Sequence, residues 1–132
     1  MRIVITGAQG QLGTDLQQVL QGHRLTLLDL PNFDLTHPAC GRLIIEAEPD
    51  VVIHAGAHTD VDGAERDPGL AMAINADGTE RVARAAAQIG ARLIYISTDY
   101  VFDGRGTRPY VETDQTNPVS AYGVSKCAGE GR

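Results

Sequence analysis

The sequence predicts an α/β protein built on a doubly wound parallel sheet that stops before its last strands. Short β-branched runs alternate with segments of helical period. A glycine-rich turn, Gly7-Ala-Gln-Gly10-Gln-Leu-Gly13, lies between the first run and the first helix. An acid, Asp29, closes the second run about 20 residues later, the offset used where a fold of this kind meets a ribose.

In chain order, Arg2–Thr6 is an apolar, β-branched run suited to a central strand buried on both faces. Leu12, Leu16, Val19 and Leu20 follow at helical spacing, with Gly22 as the expected C-cap. Leu25–Asp29 reads as a second strand and Asn32–Leu35 as a brief third. Pro38 to Glu48 reads as a helix with Leu43, Ile44 and Ala47 inward. Pro49-Asp50 turns the chain into the strand Val51–His54. A long alanine-rich helix is expected from Pro68 to Gln88, stopped by Gly90, and Arg92–Ser97 is the next strand. A polar loop covers 98–116. Asn117-Pro118 is the expected N-cap and first position of the last helix. With right-handed crossovers these units give a Rossmann-type sheet wrapped on both faces. Residues 1–132 are thus read as one incomplete dinucleotide-binding domain, with Arg92–Ser97 left as an exposed sheet edge.

Composition narrows the function. At 132 residues, 42% hydrophobic and 21% charged, the chain suits one domain with a modest core. A net charge of −6 argues against nucleic acid or an anionic membrane surface as partner, because both attract a basic patch. No apolar run approaches the roughly 20 residues of a membrane span. The opening Arg-Ile-Val-Ile-Thr-Gly reads as strand and turn rather than a leader. Cys40 and Cys127 show no metal or Cys-x-x-Cys spacing, so reduced thiols and a cytoplasmic location are expected.

The glycine turn carries the first functional reading. Glycine allows the tight turn and lets backbone N–H groups at a helix N-terminus approach a pyrophosphate, where the helix dipole favours the anion. The spacing is G-x-x-G-x-x-G rather than G-x-G-x-x-G, but the physics is shared. Asp29 is placed to accept from a ribose 2′-hydroxyl, and no Arg or Lys lies between Asp29 and Thr36 to receive a 2′-phosphate. On that ground NAD(H) is favoured over NADP(H). Asp34 and Leu35 would sit beside the adenine, or form an ordinary Asx turn.

His54, His58, Asp60 and Asp62 raise the question of a metal. Histidines four apart share a face only on a helix, and the Ala-Gly-Ala between these two follows a strand. A loop pressed against a cofactor is the better reading, and no metal site is expected.

Tyr122 and Lys126 lie four apart in a predicted helix, hence on one face, one turn from each other. Lys126 is the only lysine beside ten arginines. A cation beside a phenol favours the phenolate and makes a proton-transfer pair with a carbonyl oxygen. A compact ammonium with three rotatable donors suits this better than a planar guanidinium.

With these parts placed, the chain resembles the dTDP-4-dehydrorhamnose reductase family of the extended short-chain dehydrogenase/reductases. The likeness rests on Gly7-x-x-Gly10-x-x-Gly13, on Pro49 to Glu65, on Ser97-Thr-Asp-Tyr-Val-Phe-Asp-Gly104, and on Tyr122-Gly-x-x-Lys126-x-x-Gly-Glu130. It implies Tyr122 as proton donor, Lys126 as its neighbour and holder of the nicotinamide ribose, and Thr98 as a hydrogen-bond partner of the keto oxygen or of Tyr122. Asp99 would lie on the sugar. Gly10, Gln11 and Leu12 would contact the pyrophosphate, and Ala57, His58 and Thr59 would line the cofactor. Asn75 matches a position that supports the active site. The resemblance implies NADPH or NADH as cofactor and a nucleotide-sugar as substrate, and it is compatible with a homodimer.

Gly56 stands where the family commonly has Ala, and His54 where Asn is common. The family continues into further strands and a domain that grips the nucleotide-sugar. A chain ending at Arg132 is therefore expected to be inactive or very poor by itself. Two other readings compete: a non-catalytic dinucleotide-binding regulatory module, and another extended sugar-nucleotide epimerase or dehydratase. The intact Tyr122, Lys126 and Thr98 argue against the first, and Thr98-Asp99-Tyr100 in place of a Ser-Ser pattern against the second.

Overall fold

The computed structural model describes residues 1–132. Four parallel strands, β1 (Arg2–Thr6), β2 (Arg24–Leu28), β3 (Val51–His54) and β4 (Arg92–Tyr95), form one sheet in the order β2-β1-β3-β4. The β1 run is central, as its unbroken apolar pattern requires, and its Val4 and Ile5 are fully buried. β4 is an edge strand on which Ile94 stays 44% exposed.

Alternation along the strands sorts the core into two layers. Ile3, Ile5, Val51 and Ile53 face α1 (Gln11–Val19), whose Leu16, together with Leu20, packs over them. Val4, Leu28 and Val52 face the opposite layer, made by α2 (Gly41–Ala47) and α5 (Thr79–Gln88) through Ile44, Val82, Ala85 and Ala86. Small alanines on α5 let that helix lie close to the sheet.

Several boundaries differ from the sequence expectation. Residues Asn32–Leu35 pair with no strand; the Asp34 carboxylate accepts from Thr36 N and Oγ1, an Asx turn, while Phe33 and Leu35 plug into the core. α1 ends at Val19, ahead of Gly22, and α2 starts only at Gly41. A helix missed in the sequence, α3 (Val61–Arg66), starts at Asp60, whose side chain accepts from Gly63 N. The long helix is interrupted: α4 (Pro68–Met72) passes through a π-helical segment, Ala73–Gly78, into α5. Within the polar loop, Asp99–Val101 forms a 3-10 turn capped by the Thr98 hydroxyl. The last helix, α6 (Ala121–Glu130), begins three residues beyond Pro118, because the Ser120 hydroxyl accepts from Gly123 N and caps it instead. No helix is long and apolar enough to cross a membrane.

Ile44 is the one fully buried side chain that α2 sends inward. Ile44→Ala should cost about 2–5 kcal/mol, measured by urea unfolding, whereas Ala at the exposed neighbour Leu43 should cost well under half of that.

Candidate functional site

The segments leaving the carboxyl ends of all four strands surround a crevice of about 610 Å3. In an open parallel sheet this is where ligands bind. Its walls include the glycine turn, Asp29 and Asp34, the loop after β3, the end of β4, and Tyr122 with Lys126 from α6.

The glycine turn is forced by close approach. Gly7 has φ +68°, and a Cβ there would lie 2.6 Å from Gly56 Cα. A Cβ on Gly13 would fall 2.7 Å from Ala8 Cα, so the first turn of α1 can sit against the loop only as glycine. The α1 N-terminus has no side-chain cap and no acid in its first turn, which leaves its N–H groups and positive dipole end for an anion. Asp29 braces this loop: its two oxygens accept from Gln9 N at 2.7 Å and Leu30 N at 2.8 Å. A carboxylate has further lone pairs, so the brace leaves acceptor capacity facing the crevice.

A polar row crosses the sheet at the level of the crevice floor. Thr6, His54 and Tyr95 are register partners on β1, β3 and β4. His54 is 1% exposed, with Nδ1 at 2.6 Å from Thr6 Oγ1 and Nε2 at 3.1 Å from Thr79 Oγ1. Thr79 spends its one hydroxyl proton on Asn75 O at 2.7 Å, so it can only accept from His54. That fixes the neutral tautomer: Nε2 donates to Thr79 and Nδ1 accepts from Thr6. Burial, aided by the Lys126 charge, lowers the His54 pKa to about 4. Both ring nitrogens are thus committed to hydroxyls rather than open to a metal.

The π-helical segment turns Asn75 inward, where it is 1% exposed. Its Oδ1 accepts from His58 N at 2.7 Å, while Nδ2 donates to His58 O at 3.0 Å and to Ser125 Oγ at 2.9 Å. Ser125 in turn donates to Tyr122 O at 2.7 Å. One amide therefore ties the loop after β3 to the helix carrying Tyr122 and Lys126.

Tyr122 is half-buried and meets Tyr100 edge-on, ring centres 5.5 Å apart. Lys126 is 3% exposed; Nζ donates to Ile96 O at 2.6 Å, and no hydrogen bond joins it to Tyr122. Burial lowers the Lys126 pKa to about 8, against a smaller raising effect of Glu130.

Gly7, Gly10, Gln11, Leu12, Gly13, Asp29, Asp34, Leu35, Ala57, Thr59, Tyr122 and Lys126 all line the crevice. His58 does not; its backbone is held by Asn75 and its buried Nε2 has no partner. Thr98 and Asp99 also lie off these walls, with Thr98 Oγ1 3.3 Å from Asp99 Oδ1. Phe33 and Ile74 line the crevice without having been singled out in the sequence; Ile96 and Ser97, which the sequence reading places in the last strand, line it from just beyond Tyr95, where β4 ends.

A family model for the RmlD substrate binding domain matches residues 1–132. The chain is 50% identical to a dTDP-4-dehydrorhamnose reductase of Mycobacterium tuberculosis over 98% of its own length and 44% of the relative's. A solved dTDP-4-dehydrorhamnose reductase from Clostridium acetobutylicum superimposes with a TM-score of 0.95 at 44% identity, covering 99% of this chain and 48% of that one. A Bacillus anthracis dTDP-4-dehydrorhamnose reductase solved in complex with NADP gives 0.94 at 42% identity, covering 98% and 48%. The chain thus spans about half the length of the relatives it matches.

The buried imidazole sets a pH dependence. Its folded pKa, about 4, lies below the unfolded value near 6.5. Above both values neither state is charged; as pH falls from 6.5 towards 4 the unfolded chain takes up the proton first, and stability is lost. Between pH 7 and 4.5 this chain should lose about 2 kcal/mol more than a His54→Asn variant in urea unfolding. Parallel curves would rule out a buried neutral imidazole.

Proposed function

The chain belongs to the dTDP-4-dehydrorhamnose reductase (RmlD) family, and on that membership and the crevice geometry we propose that a full-length protein carrying this sequence reduces the 4-keto group of a nucleotide-linked 6-deoxy sugar with NADPH or NADH. The observation that carries the proposal is the placing of Tyr122 and the only lysine on the wall of the crevice that also holds the glycine turn and Asp29.

The residues present fit a dinucleotide. Gly7 and Gly13 let the turn pack directly on Gly56 and Ala8, and the uncapped N-terminus of α1 lies on the crevice wall. In this reading Gly10 and the N–H groups of Gln11, Leu12 and Gly13 hold the pyrophosphate. Asp29 accepts from the adenosine ribose, Asp34 and Leu35 flank the adenine, and Ala57, Thr59 and the His58 backbone line the middle. Lys126 has two ammonium protons beyond the one given to Ile96 O, enough for the nicotinamide ribose hydroxyls.

A nicotinamide bound here supplies the hydride for the sugar carbonyl carbon. Tyr122 gives its proton to the oxygen as negative charge develops there. Thr98 donates a hydrogen bond to the same oxygen, and Asp99 holds a sugar hydroxyl. Lys126 keeps a positive charge beside the reacting oxygen while its burial spares that charge from bulk water. Lys126 is the sole basic residue among the crevice walls, which favours a free 2′-hydroxyl over a 2′-phosphate at the Asp29 end.

Tyr122→Phe in the full-length protein should cut sugar reduction by about 10²–10⁴-fold while leaving NADH affinity, measured by fluorescence titration, within about threefold. Unchanged turnover would reject Tyr122 as the proton donor, and a non-catalytic module would show no turnover to lose.

A further inference from the structure

We infer that Tyr95 is a positioning residue for Lys126: it grips that lysine at both ends, with its ring under the ammonium and its hydroxyl on the lysine's own carbonyl. The inference rests on the proposed role of Lys126 and extends it to a residue no motif points to.

The geometry is specific. Lys126 Nζ lies 4.2 Å from the centre of the Tyr95 ring, a cation–π distance, and donates to the carbonyl of the next residue along the strand, Ile96, at 2.6 Å. Tyr95 Oη donates to Lys126 O at 3.2 Å. Room for that hydroxyl comes from Gly129, where a Cβ would lie 2.6 Å from Tyr95 Oη. On its other side the ring meets His54, centres 5.8 Å apart and tilted by 31°. Tyr95 thus sits between the polar row of the sheet and the crevice lysine.

A ring face is one of the few partners that favours an ammonium without competing for its protons. It offsets part of the desolvation cost while leaving N–H donors for a ligand. The groups facing Lys126 are Glu130 and Tyr122 from its own helix, His54 from β3 and Tyr95 from β4. His54 is neutral near pH 8 and the Tyr95 hydroxyl, raised to about 12 by burial, is protonated there, so neither changes charge where the lysine titrates. Ring removal is therefore read without interference from either.

The single lysine makes the test direct, because [13Cε]lysine labelling of this 132-residue chain gives one side-chain resonance. The unsubstituted chain should titrate near pH 8. Tyr95→Leu keeps the site apolar but removes the ring face, so Lys126 proton affinity should fall by roughly 3- to 10-fold. Tyr95→Phe keeps the face and should shift it by less than about twofold. Should Tyr95→Leu fail to fold, pentafluorophenylalanine at position 95, which reverses the ring's charge pattern at nearly the same volume, should lower the midpoint relative to phenylalanine there.

A midpoint unchanged or raised on loss of the ring face overturns the inference, since a merely structural tyrosine would lower the melting temperature without moving the lysine. In the full-length protein the pH profile of kcat should follow the same order, with Tyr95→Phe close to the parent. Failure of the reductase reading appears separately: the full-length protein would then show no sugar reduction while the lysine midpoint still moved with the ring.

Discussion

The hydroxyl–imidazole–hydroxyl chain from Thr6 through His54 to Thr79 is the constraint on which the rest of the site hangs. A buried imidazole survives at 1% exposure only because both nitrogens are engaged and the ring is neutral. Meeting those conditions pins β1 against β3 in one register and holds α5 over both. A slip of one residue would send His54 to the opposite face, that of Ile3 and Ile5 on β1, with neither hydroxyl in reach. The carboxyl ends of the strands are thereby level, and the loops that leave them converge on one crevice.

From that row the organisation passes outward through side chains that each answer two neighbours. Tyr95 lies between His54 and Lys126. Asn75 joins the loop after β3 to Ser125, and Ser125 joins that amide to the carbonyl of Tyr122. Ser97 Oγ donates to Glu130, closing the last turn of α6 onto the end of β4. The two side chains proposed to act on the substrate sit on a helix fastened to the sheet at several points, which suits groups that must hold their geometry while a proton moves.

Much of this was legible in the residues themselves. The four strands, their parallel pairing and the crossing helices followed from apolar runs and helical periods, because each depends on which side chains must leave water. The glycine turn was legible because Gly7 and Gly13 answer a steric demand local to the turn. Less was visible where two options of similar local merit compete. Asn117-Pro118 reads as a helix start, yet the helix begins at Ala121, where the Ser120 hydroxyl accepts from Gly123 N and caps it. The stretch around Asn32 alternates like a strand, yet its Phe33 and Leu35 are buried by the core rather than by a ladder. The double role of Tyr95 was hidden for another reason: it depends on a lysine and a glycine some 30 positions away, which only the tertiary fold brings to it.

The π-helical turn at Ala73–Gly78 carries one more implication, concerning how this stretch can vary. A wide turn holds a residue more than an α-turn of the same height, so excising one position would restore ordinary i→i−4 pairing. The helices on either side would keep their phase, because the wide turn alone carries the surplus residue. What would be lost is the widened turn itself, and with it the inward seat from which Asn75 reaches His58 and Ser125. Substitutions in this stretch can be absorbed one side chain at a time, but its length is as firmly set as the identity of the amide it presents.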